Sequence, residues 1–333
     1  MKKILGIGNA LVDVMTQITD DKLLEKFSLP RGSMQLVDEK RSNLIKSETV
    51  NFKRTFSPGG SAANTIHGLA MLGAGTGFIG SIGKDETGDI FEAEMKRAGV
   101  KTFLSLRDSI TGTAIALITR DKERTFATHL GAAVELDAKD LDPDFFNGFD
   151  IFYLEGYLIN NLPLVESACK IAREKNMTIA LDLSSYNVVE AYLNDFKKIV
   201  GNYVDVIFAN EDEARVFTGL APEEAVKKLS EYCSISVVKI GPAGSWLKKG
   251  EELIKVDSMP VRCKDTTGAG DLYASGFLYA YANDLDLEKC GILGSMLAGN
   301  VIEVVGAKIK EDKWPVIKKY VSILTRDKSN EEN

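Results

Sequence analysis

Short apolar runs alternate with longer segments in which apolar residues recur at helical spacing, and this rhythm continues through most of the chain. Strands that alternate with helices form a mainly parallel sheet with helices on both faces. The pattern therefore predicts an α/β fold. The predicted strands are 3–8, 76–82, 149–154, 178–183, 204–209 and 236–240, and the predicted helices are 89–97, 162–175, 192–203, 211–218, 222–232 and 287–304.

Two regions depart from this rhythm and show the shorter alternation that is typical of β-hairpins. Segments 14–18 and 34–37 alternate between apolar and polar residues, and segments 113–119 and 124–129 flank the charged turn Asp121-Lys122-Glu123. We interpret both regions as parts of one small β lid that is discontinuous in the sequence. The predicted organisation is a lid of residues 13–50 and 102–130, an α/β core of residues 1–12, 51–101 and 131–327, and a charged, frayed tail of residues 328–333.

The segment D-T-T-G-A-G-D, residues 265–271, is the strongest chemical signal in the chain. Its small-residue turn, Gly268, Ala269 and Gly270, enters an apolar helix, and the first N–H groups of a helix have no partner within it. These groups and the helix dipole bind anions, phosphates above all. Asp271 places a carboxylate beside this anion hole, which is the combination that phosphoryl transfer to an alcohol requires. The structural alternative is that Asp271 only caps the helix.

Polar residues also follow the first predicted strand and the glycine-rich start of an early helix. Asn9 and Asp13 follow the strand, and ligands of open α/β sheets bind beyond the carboxyl ends of strands. Gly59 and Gly60 enter the helix, and Asn64 lies one turn into it, beside the exposed N–H groups. Together these residues suit the hydroxyl groups of one sugar. A turn at Asp13 and a tightly packed glycine helix start are the structural alternatives.

Composition and charge argue against several classes of protein. The formal net charge of −7 argues against a nucleic-acid-binding surface. Four scattered cysteines favour free thiols in a reducing cytoplasm, and with only two histidines the base is expected to be a carboxylate. No membrane segment is expected, because the uncharged stretch 55–83 is broken by polar residues, glycine and proline. A dinucleotide-dependent oxidoreductase is disfavoured, because Gly6 and Gly8 are not followed by the third glycine of the fingerprint.

The D-T-T-G-A-G-D segment and the glycine-rich segment 59–99 resemble the two signatures of the ribokinase-like, or PfkB, family of carbohydrate and nucleoside kinases. The resemblance covers nearly the whole chain, and the G-x-x-x-x-G-K-[ST] loop of P-loop kinases is absent from the sequence. It implies ATP-dependent phosphorylation of a hydroxyl group, with Asp271 as the catalytic base and the turn before it as the anion hole. The residues that would hold the acceptor beneath a closing lid are Asn9, Asp13, Gly59, Gly60 and Asn64.

The same resemblance implies a site for ATP and Mg²⁺ along the carboxyl edge of the sheet. Asn210 and Glu213 match an N-x-x-E pattern that organises Mg²⁺ and phosphate through water, although a helix cap would also explain both residues. Arg124 of the lid would add a contact to the transferring group. Asp265 and Thr267, with carbonyls near Val301 and Gly306, resemble a monovalent-cation site, for example for K⁺, that many members contain. The other nucleotide contacts that the resemblance implies are Lys239, Gly241, Gly244, Ala298 and Asn300.

The choice of acceptor depends on the segment G-N-x-x-V-D, residues 8–13, which looks most like adenosine-kinase-type members. We therefore expect phosphorylation of the primary hydroxyl of a ribose-containing nucleoside such as adenosine. The nucleobase would then contact an apolar wall formed by Met34, Leu36, Phe126 and Leu130, unless these four are core residues of the lid. The alternatives are a carbohydrate kinase for a free sugar or sugar acid (ribose, fructose or 2-keto-3-deoxygluconate) and a nucleotide-sensing protein without catalysis. A homodimer through an exposed lid strand is a further expectation.

Overall fold

The computed structural model describes residues 1–120 and 123–326. The centre of the predicted charged turn, residues 121 and 122, and the predicted tail, residues 328–333, lie outside the described residues. The strands are β1 Ile4–Ile7, β2 Leu11–Gln17, β3 Met34–Leu36, β4 Arg54–Gly59, β5 Thr76–Gly83, β6 Val100–Arg107, β7 Thr111–Ile118, β8 Arg124–Gly131, β9 Ile151–Glu155, β10 Thr178–Asp182, β11 Val206–Asn210, β12 Ile235–Lys239, β13 Ser245–Lys249 and β14 Glu252–Val256. The α-helices are α1 Lys22–Lys26, α2 Glu39–Glu48, α3 Ser61–Leu72, α4 Glu86–Arg97, α5 Leu162–Glu174, α6 Tyr186–Ala191, α7 Leu193–Tyr203, α8 Glu211–Thr218, α9 Pro222–Leu229, α10 Ala269–Ala282, α11 Leu287–Val301 and α12 Trp314–Arg326.

The larger sheet has nine strands in the order β14-β13-β12-β11-β10-β9-β1-β5-β6. Every neighbouring pair from β12 to β6 is parallel, and β13 and β14 add an antiparallel hairpin at one edge. Strands β1, β5 and β9 are buried along their whole length, as expected for parallel strands that are covered on both faces. The predicted mainly parallel sheet is confirmed, and the β13–β14 hairpin is an element that the sequence pattern did not predict.

Helices cover both faces of this sheet and bury two separate apolar clusters. One cluster joins α3, α4, α10, α11 and α12 to the sheet and includes Phe78 and Phe277. The other joins α5, α7, α8 and α9 to the opposite face and includes Phe152 and Phe196. The site is therefore formed by polar residues at the ends of the strands and helices that lie between these two layers. Within the described part of the chain, every helix is too short or too polar to cross a bilayer.

The smaller sheet is the lid, with five strands in the order β3-β8-β7-β2-β4. Strands β7 and β8 are antiparallel, which confirms the predicted hairpin. Helix α2 packs on these two strands and buries Ile45 against the back of the lid. The edge strands β3 and β4 each have one neighbour in this sheet, so the predicted homodimer through a lid strand stays a prediction.

The predicted boundaries between lid and core need two corrections. Strand β4 lies in the segment 51–101 predicted for the core, but it pairs antiparallel with β2 in the lid. Strand β6 lies in large part in the segment 102–130 predicted for the lid, but it pairs parallel with β5 in the larger sheet. The physical reason is that β6 forms the edge of that sheet and is mostly only half-buried, so it carries the same alternating pattern as a lid strand.

Helices α10 and α11 pack closely because a glycine lies at their contact. A Cβ atom added at Gly276 of α10 would lie 2.2 Å from the carbonyl oxygen of Leu293 in α11. Because the obstacle is backbone, a larger residue cannot be accommodated by a change of side-chain rotamer. This contact holds the helix that carries Asp271 against the helix behind it.

We predict that Gly276→Ala lowers the free energy of unfolding by about 1–3 kcal/mol, because the added methyl group forces the two helices apart. Gly201→Ala is the matched control. Gly201 also lies in a helix, α7, but the atom nearest to an added Cβ there is 3.9 Å away. Urea denaturation should show the control unchanged or up to about 1 kcal/mol more stable. Equal effects of the two substitutions would contradict the close packing at Gly276.

Candidate active site

The amino terminus of α10 is the centre of the site. Gly268 is the N-cap residue and has a φ of 74°, and a Cβ atom there would lie 2.8 Å from the Cα of Ala307. Glycine is therefore the residue that fits this left-handed turn. Ala269 and Gly270 form the first turn of the helix. The N–H of Ala269 donates to the carbonyl of Thr266 at 3.1 Å, and the N–H of Gly270 is among those without an intrahelical partner. The predicted anion hole thus lies at a helix terminus, with the partial positive charge that binds anions.

The carboxylate of Asp271 is held by two donors from α3. The Ser61 hydroxyl donates to Oδ1 at 2.8 Å, and the Asn64 side-chain amide donates to Oδ2 at 2.9 Å. Burial raises the pKa of Asp271 to about 6, and both hydrogen bonds oppose that rise. The carboxylate is therefore largely ionised at neutral pH. Ser61 was not among the predicted site residues, although it directly follows the glycine pair that marked this helix start.

The glycine pair at the start of α3 allows close approach from two sides. A Cβ atom at Gly59 would lie 2.3 Å from Oδ1 of Asp13, and one at Gly60 would lie 2.1 Å from the carbonyl oxygen of Asn9. Gly60 also has a φ of 97°. The pair therefore brings the end of β1, the Asp13 carboxylate of β2 and the start of α3 together, as the sequence predicted.

Asn9 makes a contact that the sequence did not predict. Its side-chain amide donates to Oε1 of Glu155 at 2.6 Å, and Oε2 of Glu155 accepts the N–H of Ala62 at 2.9 Å. Glu155 is 1% exposed, and burial raises its pKa to about 7. The amide of Asn9 is thus directed at Glu155 and not at the open cleft. Glu155 ends β9 at the carboxyl edge of the sheet, which is the signal that could have identified it.

Two oxygen acceptors near Asp271 are available to a ligand. Oδ1 of Asn64 is buried and has no hydrogen-bond partner among the described residues. Burial raises the pKa of Asp13 to about 7, while the ammonium of Lys308 opposes that rise. Burial in turn lowers the pKa of Lys308 to about 8. A buried acceptor without a donor is costly, so this region favours a ligand that brings hydroxyl groups.

On the other side of Asp271 lies a buried ion pair. Lys239 ends β12 and donates to Oδ2 of Asp182 at 2.9 Å. A Cβ atom at Gly270 would lie 3.1 Å from the Lys239 ammonium nitrogen. The predicted Lys239 is therefore next to the predicted anion hole, and it adds a full positive charge to the helix terminus.

Asn210 and Glu213 form a capping box at the start of α8. The amide of Asn210 donates to Oε1 of Glu213 at 2.7 Å, and its backbone N–H donates to Oε2 at 2.8 Å. Burial and the nearby Asp182 raise the pKa of Glu213 to about 7. Among the residues that the structure describes, His, Cys, Asp and Glu side chains do not form a group of three or more arranged for a metal ion. Asn210 and Glu213 would therefore bind Mg²⁺ only through intervening water molecules.

The remaining predicted nucleotide residues occupy two neighbouring places. Gly241 and Gly244 form the turn between β12 and β13, and a Cβ at Gly244 would lie 2.0 Å from the carbonyl oxygen of Val256. Ala298 and Asn300 lie on α11, but the Asn300 amide donates to the carbonyl of Met296 in its own helix at 2.9 Å. The Asn300 amide thus donates within its own helix, and the placement of Ala298 and Asn300 beside the nucleotide stays a prediction.

The predicted monovalent-cation site at Asp265 and Thr267 does not fit the structure. The guanidinium of Arg124 binds both carboxylate oxygens of Asp265 and donates to the Thr267 hydroxyl at 3.1 Å. The same carboxylate accepts the N–H groups of Thr267 at 2.8 Å and Gly306 at 2.6 Å. The side-chain oxygens of Asp265 and Thr267 that would ligate the cation are thus satisfied, and a positive charge already lies beside them. This prediction is corrected on that ground.

We predict that K⁺ does not stabilise the protein specifically, because Arg124 takes the oxygens that the ion would need. The measurement is the melting temperature in KCl and in tetramethylammonium chloride at equal ionic strength. A bound ion stabilises the folded state by mass action, so an occupied site would raise the melting temperature in KCl. Equal values are expected, and a dose-dependent rise in KCl alone would restore the cation site.

Comparisons with known proteins agree with this architecture. A model of the pfkB family carbohydrate kinases matches residues 33–314. An uncharacterized sugar kinase of Archaeoglobus fulgidus is 31% identical over 244 residues, which cover 72% of this chain and 96% of that protein. Adenosine kinase of Saccharomyces cerevisiae is 29% identical over 331 residues, covering 92% and 96% of the two chains. The solved structure of adenosine kinase from Sinorhizobium meliloti is 31% identical, with a TM-score of 0.85, and the similarity covers 96% of this chain and 99% of that one.

The matched segment 33–314 covers most of the chain and includes the starts of both α3 and α10. The fold similarity to solved kinases extends over nearly the whole chain. The recognised resemblance is confirmed: the chain belongs to the pfkB family of carbohydrate kinases, and it is an ATP-dependent kinase whose acceptor is a hydroxyl group.

Proposed function

We propose that this kinase phosphorylates the primary hydroxyl of a ribose-containing nucleoside, with adenosine as the representative acceptor. The observation that carries the proposal is the position of Asp271. It lies between Asn64 and Asp13, which offer acceptors for hydroxyl groups, and Lys239, which adds positive charge at the anion-binding turn. A donor phosphate on one side and an alcohol on the other would meet at this carboxylate.

In this proposal Asp271 is the catalytic base. It takes the proton of the acceptor hydroxyl as the oxygen forms its bond to the γ-phosphorus, while the bond to the β-phosphate oxygen breaks and ADP leaves. The N–H groups of Gly268, Ala269 and Gly270 and the Lys239 ammonium would stabilise the charge on the transferring group. Ser61 and Asn64 hold the carboxylate in place at 2.8 and 2.9 Å, so little rearrangement is needed before reaction.

The acceptor side suits the adjacent hydroxyl groups of a ribose. Asn64 Oδ1 is a buried acceptor that lacks a donor, and the Asp13 carboxylate lies against Gly59 on the other side. Two acceptors in the neighbourhood of Asp271 favour a ligand with neighbouring hydroxyl groups. Asn9 would contribute through Glu155, by fixing the end of β1 and the first turn of α3, and not through a direct contact.

The lid supplies an apolar face next to this polar pair, which favours a nucleoside over a free sugar. The register places Met15, Ala116, Phe126 and Met34 in one row across β2, β7, β8 and β3. Asp13 and Leu36 lie in the next row on the same face, because residues two apart share a face of a strand. Met34 and Leu36 are 56% and 65% exposed, so they are not core residues and are available to contact a flat, apolar base.

Mg²⁺ would be held through water by Asp182 and Glu213 at the nucleotide side. When bound, the ion would neutralise charge on the ATP phosphates. Burial and the nearby Asp182 raise the pKa of Glu213 to about 7 although the Lys239 ammonium opposes that rise, so this pair of acids favours a site that a divalent cation completes. Ala298, Gly241 and Gly244 would border the nucleotide. The guanidinium of Arg124 is bound to Asp265, so its charge would act from beside the turn that precedes α10.

A free sugar is the second candidate acceptor. It is favoured by the relatives described as sugar kinases, including a probable sugar kinase from Rhizobium etli with a TM-score of 0.86 at 32% identity. A nucleotide-sensing protein without catalysis is disfavoured, because the Asp271 carboxylate is held by two hydrogen bonds at the glycine turn that begins α10.

The acceptor is tested by ADP release with Mg-ATP and a panel of nucleosides and free sugars. Contact of the nucleobase with the apolar lid face should lower the reaction barrier for adenosine relative to ribose. We predict a kcat/KM for adenosine at least about tenfold higher than for ribose, which corresponds to roughly 1.4 kcal/mol of additional binding. Faster turnover of ribose or another free sugar would overturn the nucleoside assignment and leave the kinase mechanism in place.

The base is tested by Asp271→Asn, which keeps the size of the side chain and removes its ability to accept a proton. We predict that kcat falls by about 10²- to 10⁴-fold, the usual contribution of a general base. ATP binding, measured by calorimetry, should change little. Asp89→Asn, at an exposed position in the first turn of α4, is the matched control and should retain wild-type turnover. Wild-type kcat for the Asp271 variant would remove this residue from the mechanism.

A further inference from the structure

A fully buried tyrosine on β9 belongs to a group of hydroxyl side chains behind the candidate active site. Tyr153 is 0% exposed, and its hydroxyl lies 3.3 Å from Oγ1 of Thr65 on α3. Burial, together with the nearby carboxylates of Asp182 and Asp271, raises the pKa of Tyr153. The phenol therefore stays neutral and keeps a proton to donate. Tyr153 has no part in the proposed proton transfer, so its buried hydroxyl needs another explanation.

The hydroxyls of this group converge on one atom, the main-chain carbonyl oxygen of Asp271. The Thr65 hydroxyl donates to this oxygen at 3.2 Å, and the Ser275 hydroxyl donates to it at 3.0 Å. Inside an α-helix such an oxygen already accepts the N–H of the residue four positions further on. Neither hydroxyl is therefore needed to satisfy it. The two additional donors instead hold the main chain of the residue that carries the proposed base.

Ser275 also binds the main chain of the opposite helix. Its hydroxyl donates to the carbonyl oxygen of Thr65 at 2.8 Å, so its proton is shared between a carbonyl of α3 and one of α10. The two helices approach this closely because Gly68 lies at their contact, where an added Cβ atom would lie 2.5 Å from Oγ of Ser275. Thr65 and Ser275 thus join α3 and α10 in both directions at the level of Asp271.

Tyr153 determines where the proton of the Thr65 hydroxyl goes. Oγ1 of Thr65 has the carbonyl oxygens of Ser61 and Asp271 at 3.2 Å each, and the phenol oxygen at 3.3 Å. An unpaired phenol O–H in this buried place would be costly, so Tyr153 donates its proton to Thr65. The Thr65 proton is then left for the two carbonyl oxygens. The tyrosine hydroxyl in this way directs the threonine hydroxyl toward the main chain of Asp271.

One face of α3 therefore holds both the side chain and the main chain of Asp271. Ser61 and Asn64 bind its carboxylate, and Thr65 binds its carbonyl oxygen. Residues at i, i+3 and i+4 are neighbours on the surface of a helix. The carboxylate keeps both of its hydrogen bonds only while the main chain stays at a fixed distance from this face. A shift of that main chain would lengthen the bonds and turn the carboxylate away from the acceptor.

We propose that Thr65, Tyr153 and Ser275 are positioning residues, which hold the main chain of Asp271 so that its carboxylate meets the acceptor hydroxyl in the reactive geometry. The proposal rests on the proposed kinase function and deepens it, because it names the residues that set the position of the base. It assigns none of the three a contact with either substrate.

Ser275→Ala tests the proposal by removing one of the two hydroxyls that bind the Asp271 carbonyl. We expect kcat to fall about tenfold, which is less than the hundredfold that a displacement of about 1 Å can cost. The KM values for Mg-ATP and for the acceptor should change little, because Ser275 is placed behind the base and away from both ligands. A fall in kcat at unchanged KM indicates an interaction that matters in the transition state.

The pH profile supplies a readout that a general loss of stability would not move. The hydrogen bonds from Ser61 and Asn64 oppose the rise in the pKa of Asp271, which is about 6 in the wild-type protein. If the main chain shifts, these bonds weaken and that pKa rises. Because the base acts only when it is ionised, the acid limb of kcat/KM should move to higher pH. Asp182 and Lys239, the charged groups that also act on this pKa, are unchanged in the variant.

Ser236→Ala is the matched control. Ser236 and Ser275 are both 0% exposed, and the Ser236 hydroxyl donates to the carbonyl oxygen of Val226 at 2.7 Å. That contact joins β12 to α9 and not to either helix of the pair α3–α10. The control should lose a similar amount of stability but keep the wild-type kcat and acid limb. Equal shifts of the acid limb in the two variants, or an unmoved acid limb in Ser275→Ala, would overturn the proposal.

A double-mutant cycle tests the path from Tyr153 through Thr65. Tyr153→Phe keeps the ring and removes the hydroxyl, and Thr65→Val keeps the shape and removes the hydroxyl. If Tyr153 acts through Thr65, the double variant should turn over the acceptor no more slowly than Thr65→Val alone, whereas losses that multiply would contradict that path. Thr65→Ser retains the hydroxyl and should restore kcat. If Thr65→Val does not fold, Tyr153→Phe carries the test, since a wild-type kcat and acid limb for it would equally overturn the proposal.

Activity of the wild-type protein distinguishes failure of this inference from failure of the proposed function. If the wild-type protein phosphorylates an acceptor and the variants keep its kcat and its pH profile, only the positioning role is wrong. If the wild-type protein phosphorylates neither a nucleoside nor a sugar, the proposed function itself is wrong.

Discussion

The structure depends on two helix amino termini that face one another across a single carboxylate. The first turn of α3 supplies Ser61 and Asn64 as donors, and the first turn of α10 supplies Asp271 as their acceptor. Helix termini carry unpaired N–H groups and partial positive charge, so each attracts oxygen-rich ligands. Because one turn opens toward the lid and the other toward β12, the two ligands of a phosphoryl transfer can approach the same group from opposite sides.

Burial determines the acid–base properties of the carboxyl groups around Asp271. Asp13, Glu155, Glu213 and Asp271 all have pKa values raised chiefly by burial, to about 7 for the first three and about 6 for Asp271. Hydrogen bonds from Ser61 and Asn64 oppose the rise in the pKa of Asp271, so this carboxylate is largely ionised at neutral pH.

The sequence predicted those parts of the fold and site that depend on local patterns. The strand and helix rhythm, the β7–β8 hairpin and the glycine turns at Gly60 and Gly268 all follow from residues close together in the chain. Contacts between distant segments could not be predicted in this way. Asn9 meets Glu155 across 146 residues, and Arg124 meets Asp265 across 141 residues. The second contact explains why the expected cation site failed, since a local spacing of acid and hydroxyl does not show which charge will reach it.

The central claim is that the site presents a primary hydroxyl to Asp271, and the product shows most directly which hydroxyl reacts. The measurement is the proton-coupled ³¹P NMR spectrum of the phosphomonoester formed from Mg-ATP and adenosine. The account predicts a triplet, because phosphorus on the 5′ oxygen couples to both protons of the CH₂ group. A doublet, from phosphorus on a 2′ or 3′ oxygen, or inorganic phosphate as the sole new product, would contradict the placement of the primary hydroxyl at Asp271.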